Sequence, residues 1–301
     1  MARSHNHLIN CKPRSEQDIA QLAELSLKEA NAIDKLPTPI DDLIKVSKVE
    51  EVFNFDQIKA GFFASLKKDV QETSKFIIQK IRGIADLRER AIYIPKTDNP
   101  LRNIFPKAHE LGHQIIPWHN IDPTYTDNDG TLSPRIEIEF EKEANFFASE
   151  VIFQGKRFGN NARDYAASFE AIFKLSDLYG ASKFSTIWRY VEEQDELILI
   201  AIYYPNENTF DDSGKNVLDL WKIIPSKKCL NKFGQIDMPQ RIRTGNPWVV
   251  ARDLSHICDG KDALKYNSGS STFYWQAWWN GYTLFVLLKH IPMLGLRNRV
   301  F

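Results

Sequence analysis

The chain predicts an α+β protein, helix-rich over its first two thirds and β-rich over its last third. Three observations carry this. Apolar residues recur at helical spacing over Glu16–Ile33, Glu137–Phe153, Ala162–Leu178 and Lys183–Glu192. The period shifts to that of strands at Phe76–Ile81 and again at Arg90–Ile94, which sets a small sheet among the helices. From Glu196 onward β runs dominate, beginning with the apolar stretch up to Tyr204.

Element by element, residues 1–15 read as a loose arm, its His5 and His7 belonging to a frayed terminus. The first helix starts at Glu16 and stops before Pro37. Thr38 is placed to cap a second helix with Pro39 at its first position and Asp41 in its first turn. A third helix is expected over Phe55–Glu72. The strand at Phe76–Ile81 returns, after a polar turn at Ala85–Glu89, as Arg90–Ile94, which Pro95 stops. A loop over Thr97–Pro106 leads into a helix that Pro117 ends. The polar stretch His119–Arg135 reads as a long loop, followed by the helix Glu137–Phe153 and a helical pair around Gly180. Pro205 is expected to end the next strand, and residues 206–216 to form a linker. Strands follow at Val217–Ile224, Trp248–Ala251, Ser271–Trp279 and Tyr282–Leu288, the last two joined by the turn pair Asn280-Gly281. The expected division is an arm over 1–15, a domain over 16–205 and a β-rich region over 210–301.

The bulk composition excludes several classes. With 301 residues, 43% of them hydrophobic, the chain has enough apolar material for a true core and is not disordered. Lysine plus arginine equals aspartate plus glutamate at 39 each, so net charge gives no argument for a nucleic-acid or membrane partner. Cys11, Cys229 and Cys258 form no C-x-x-C pair, which argues against a disulfide scaffold or a zinc knuckle. The first residues hold no apolar signal region, and no apolar run has membrane-spanning length. A cytoplasmic location is the expectation.

The chemistry concentrates in His109-Glu110-Leu111-Gly112-His113. On a helix the two histidines lie one turn apart on one face and can grip a zinc ion, with Glu110 placed to hold the water that the metal activates. Leu111 can pack inward, and Gly112 permits another helix to approach closely. Zinc still needs a third protein ligand, and the next helix offers Glu141. Asn145, one turn on, is placed to hold the outer ring nitrogen of a zinc-binding histidine. Glu143 points about 200° around the helix from Glu141 and is expected to be a solvated charge. Manganese is an expected substitute for zinc. For stabilising an oxyanion, Tyr93, His119 and Tyr125 are candidates by proximity along the chain; His119 can equally line the cleft or play no chemical part.

Three segments together resemble the ImmA/IrrE family of zinc metallopeptidases: the strand-like RAIYI at 90–94, PKAHELGHQII at Pro106–Ile116, and EKEANFFASEVIF at Glu141–Phe153, which is similar to the family's E-x-x-A-N-x-F-A signature. The resemblance covers about residues 15–195 and includes the helical tail at 175–192. It implies a zincin-like, gluzincin-type core with an active-site helix and a small mixed sheet. His109, His113 and Glu141 would then be metal ligands and Glu110 the catalytic base. It also implies an intracellular protein or peptide substrate, such as a helix-turn-helix repressor, lying as a strand against an edge at Arg90–Ile94. The chain departs from the family at Val151–Gly155, where members often carry a Leu-Met-Pro-like turn. The resemblance does not extend to the region beyond 210.

The alternative is a non-catalytic or latent module on the same fold. A DNA-binding role for the 175–192 helices is weaker, since Lys174, Lys183 and Arg189 stand against Asp177, Glu192 and Glu193. The aromatic run Phe273-Tyr274-Trp275 with Trp278 and Trp279 reads as alternating burial in a hairpin rather than a ligand platform.

Overall fold

A computed structural model describes residues 16–52, 84–86, 90–94, 101–119, 134–266 and 269–292. The expected helix over Phe55–Glu72, the strand over Phe76–Ile81 and the loop at 120–133 lie outside these residues. The chain divides into two compact units, one of residues 1–157 with 178–182, the other of 158–177 with 183–301. The boundary expected at 205–210 instead falls inside a strand, and the helices after 157 group mostly with the β-rich part.

In the first unit, α1 (Glu16–Glu29) buries Ile19, Ala23 and Leu27, spaced one turn apart on one face. It stops short of Ile33 because Asn31 turns left-handed, at φ 49°. Helix α2 (Ile40–Val46) carries Asp41 and Asp42 in its first turn, where the helix dipole favours them. Thr38 does not cap it. Its hydroxyl reaches the carbonyls of Val151 and Ile152 instead, at 3.1 and 3.3 Å, and so satisfies late carbonyls of another helix.

Strands β1 (Glu50–Val52), β2 (Ile84–Asp86) and β3 (Ala91–Tyr93) form a mixed sheet in the order β1-β3-β2, with β1 parallel and β2 antiparallel to β3. Two expectations are corrected here. Ala85 and Asp86 belong to a strand rather than to a turn. The Arg90–Ile94 segment supplies the middle strand, so its two sides are already paired and it offers no edge to an incoming substrate strand.

Helix α3 (Leu101–Ile115) starts well before Pro106, which sits inside it. Proline has no N–H, so one backbone bond is forgone there. Other contacts hold α3 in place. Lys107 Nζ pairs with Asp41 at 2.8 Å and Glu51 at 2.9 Å, and Gln114 donates to the Ala91 carbonyl at 3.2 Å. After Ile116 a 3₁₀ turn covers Pro117–His119. Helix α4 (Pro134–Phe153) begins earlier than Glu137 and ends with two left-handed residues, Gln154 and Gly155. Gln154 ties the end of α4 to residues 32–35. Its amide, 1% exposed, accepts from Asp34 N and donates toward the carbonyls of Ala32 and Lys35, pinning the α1–α2 connection.

Helices α5 (Lys156–Arg163), α6 (Phe169–Tyr179) and α7 (Lys183–Glu193) follow. The cations weighed above for DNA are engaged within the second unit. Arg189 pairs with Glu193 at 3.0 Å, and Lys183 lies over the Phe173 ring at 4.2 Å and Lys174 over Tyr165 at 5.6 Å.

The second unit centres on a six-stranded antiparallel sheet, ordered β6-β5-β4-β9-β8-β7. Its strands are β4 (Ile198–Phe210), β5 (Asn216–Pro225), β6 (Arg241–Ile242), β7 (Cys258–Tyr266), β8 (Gly269–Trp279) and β9 (Leu284–His290), with α8 (Lys227–Phe233) and α9 (Val250–Leu254) between them. Pro205 does not end β4. Pairing with β9 stops at Tyr203, so the missing N–H of Pro205 faces no ladder partner on that side. Residues 206–216 are therefore the end of a β4–β5 hairpin rather than a linker. Trp248–Ala251 is helical instead of extended. Asn246 caps the Trp248 N–H at 2.9 Å and Pro247 takes the first position, a start signal that outweighs the β-prone side chains. The last hairpin turns over Asn280–Thr283, with Asn280 Oδ1 accepting from the backbone of Tyr282 and Thr283. On β8, Phe273, Trp275 and Ala277 are buried together in the sheet core, as the alternation predicts.

Among the described residues, no helix is long and apolar enough to cross a membrane.

Candidate metal centre

Helices α3 and α4 lie unusually close at Gly112. A Cβ there would stand 3.1 Å from Phe147 Cδ1 and 3.4 Å from the backbone of Ala144. The bare glycine thus lets the two helices approach closely, and a larger residue would press on Phe147 and Ala144.

Across this contact, His109 and His113 from α3 and Glu141 from α4 converge, with one ligand-type atom from each within 4.8 Å of the others. His109 Nε2 is 3.3 Å from His113 Nε2 and 3.3 Å from Glu141 Oε2, and His113 Nε2 is 3.4 Å from Glu141 Oε1. Zinc bonds of roughly 2.0–2.2 Å in a tetrahedron require ligand atoms about 3.3–3.5 Å apart. The two histidine nitrogens lie at that spacing from each other, and each lies at it from one of the two Glu141 oxygens. The donor set, two imidazoles and a carboxylate, also fits zinc of the catalytic type.

The outer ring nitrogens are held as well. His109 Nδ1 lies 3.1 Å from Asn145 Oδ1. An amide oxygen only accepts, so this contact places the proton on Nδ1 and leaves the Nε2 lone pair for a metal. His113 Nδ1 lies 3.0 Å from His119 Nδ1, and His119 Nε2 lies 2.8 Å from Glu143 Oε2, which also accepts from Trp118 Nε1 at 2.6 Å.

Electrostatics follow from these contacts. The two imidazoles beside it, His109 and His113, hold the Glu141 carboxyl well below the usual carboxylate range. Burial alone pushes the His109 imidazole down, but Glu141, Glu110 and Asn145 outweigh it and the net shift is upward. Glu110 is 7% exposed, and burial pushes its carboxyl up, against the opposing pull of the two histidines. Burial, reinforced by His113, pushes His119 down to about 3. Burial also raises Glu143, partly offset by the bond from Trp118.

The structure therefore brings together His109, Glu110, His113, Glu141 and Asn145 as the spacing implied. It corrects two other assignments. Glu143 is not a solvated charge, since its side chain is 11% exposed against 60% for Glu141. The turn at Pro117–His119 covers Glu143, bringing Trp118 and His119 against its carboxylate. His119 does not line a cleft. Its side chain is 1% exposed and both ring nitrogens have partners, which leaves none for an oxyanion. Of Tyr93 only the backbone, in β3, is described, and Tyr125 lies outside the described residues. Trp118 escaped sequence reasoning. The signal that could have found it is Pro117, which forces a tight turn back toward the motif.

No family model matches the chain, and no curated protein does. Among solved structures, a Mycobacterium tuberculosis transcriptional regulator is similar to it, with a TM-score of 0.52 and 12% identity, over 91% of this chain and 88% of that one. At that identity the likeness concerns the fold alone. It reaches into the β-rich second unit as well as the first.

Proposed function

We propose that the protein is a zinc-dependent endopeptidase of the ImmA/IrrE type, built on a zincin-like core. The observation that supports this best is the matching set of separations among His109 Nε2, His113 Nε2 and the Glu141 oxygens. His109, His113 and Glu141 would hold the ion. Bound there, zinc supplies Lewis acidity, which makes water a stronger nucleophile and polarises a peptide carbonyl. Glu110, buried beside both histidines, takes the proton from the attacking water and passes it to the leaving amine. Asn145 keeps the His109 ring turned so that Nε2 faces the ion. The substrate class we propose is an intracellular regulatory protein such as a repressor.

Glu110→Gln is the direct test. The amide keeps the shape but cannot accept the proton. Cleavage of a proteome-derived peptide library by the zinc-loaded protein, read by mass spectrometry, should fall by about a hundredfold or more, with zinc content and melting temperature unchanged. Equal cleavage by both proteins would remove Glu110 from the reaction. If the wild type binds zinc but cleaves nothing, the non-catalytic module on this fold is the better reading.

A further inference from the structure

We propose that Glu143 and His119 form a positioning relay that fixes the ring state of His113 and so sets metal affinity. This rests on the reading of His113 as a ligand. Trp118 Nε1–H is a donor only, and it points at Glu143 Oε2 from 2.6 Å. The same oxygen lies 2.8 Å from His119 Nε2. One carboxylate oxygen thus accepts twice, and His119 carries its proton on Nε2. Its Nδ1 is then a lone pair, and it faces His113 Nδ1 at 3.0 Å. For that contact to be a hydrogen bond, His113 must carry its proton on Nδ1. The Nε2 of His113, aimed at His109 and Glu141, is left as the free lone pair that a metal requires.

The relay is held rigidly. His119 stacks on Phe140, with ring centres 4.2 Å apart and planes 21° from parallel, and it sits on the 3₁₀ turn that Pro117 begins. Its partner Glu143 is fixed on α4, the helix that also carries Glu141. One helix therefore supplies a ligand directly through Glu141 and orients another ligand at second hand through Glu143. The two histidines of the motif are held differently: His109 by a single amide, His113 by an imidazole backed by a carboxylate and an indole. Glu143 and His119 are positioning residues, since neither is placed to touch the ion.

Three variants and one spectrum test this. His119→Phe keeps the stack on Phe140 and removes the acceptor, and Glu143→Leu removes the anchor. Each should weaken zinc affinity, measured by chelator competition, by about 10–100-fold. In Glu143→Gln the amide oxygen still accepts from Trp118 and His119, so affinity should stay within about threefold of wild type. Melting of the zinc-free proteins separates this from a loss of fold. Long-range ¹H–¹⁵N imidazole spectra of the zinc-free wild type should show the proton on Nδ1 of His113 and on Nε2 of His119. Unchanged affinity in both His119→Phe and Glu143→Leu, or the opposite ring states in the wild type, would overturn the relay. Should the leucine and phenylalanine variants not fold, the wild-type spectrum still decides. A wild type that takes up no zinc would sink the proposed function, while the ring states would still judge the relay.

Discussion

The sheet core of the second unit and the α3–α4 contact of the first bury different kinds of side chain. In the second, the sheet core is apolar almost throughout: Phe273, Trp275, Ala277, Leu284, Val286 and Leu288 come from neighbouring strands and need no partners beyond good packing. In the first, the α3–α4 contact buries Glu110, Gln114, His119 and Glu143 among its apolar residues. Burying polar groups costs stability unless each finds a partner; Gln114 donates to the Ala91 carbonyl, and Glu143 accepts from Trp118 and lies against His119. The difference teaches where to expect function. The apolar sheet core fills the second unit, and the polar contact holds the candidate site of the first.

The largest expected stability effect sharpens that contrast. Phe273 is fully buried against Phe233 and His290. Phe273→Ala should cost about 3–5 kcal/mol, from lost burial plus the cavity left behind. Zinc affinity, measured where the variant remains folded, should stay at the wild-type value. A parallel loss of zinc affinity would mean that the sheet core also supports the site.

Gln154→Leu comes next. It keeps the volume but leaves Asp34 N and the carbonyls of Ala32 and Lys35 without that partner. Chemical denaturation should show a loss of about 2–3 kcal/mol, the cost of stranding buried polar groups. A neutral result would make the polar pinning of α1 dispensable and blur the contrast between the units.

The smallest effect is at the surface. Arg157 binds Glu24 through two hydrogen bonds, at 2.9 and 3.3 Å, and these hold the Glu24 carboxyl below its ordinary value. A carboxyl lowered by folding adds stability above its unfolded pKa and loses it as pH falls through the folded value. Both side chains are about a third exposed, at 32% and 34%, so solvent screening limits the contribution to about 0.5 kcal/mol. Arg157→Ala should show that loss at pH 7 and a smaller one at pH 3. An equal loss at both would assign it to packing rather than charge.

How much the sequence revealed follows the same division. The histidine pair was readable from its i, i+4 spacing on one helix, Glu141 with Asn145 mostly from the resemblance of their segment to a family signature, and the β8–β9 hairpin from alternation around Asn280-Gly281. Three features were not. Helix α3 runs through Pro106 because Lys107 and Gln114 tie it to α2, β1 and β3, and such tertiary ties do not show in local pattern. Strand β4 runs through Pro205 because only one of its sides is paired there. Glu143 read as a surface charge because its partners, Trp118 and His119, reach it across a turn whose path spacing does not reveal.

The central claim is that His109, His113 and Glu141 form one metal site. Zinc content after purification and dialysis, measured by mass spectrometry for the wild type, Glu141→Ala and Glu143→Gln, tests it most directly. The account predicts about one zinc per wild-type chain, a similar content for Glu143→Gln, and little or none for Glu141→Ala at micromolar free zinc. A wild type without zinc, or a Glu141→Ala variant that binds zinc as tightly as the wild type, would contradict it.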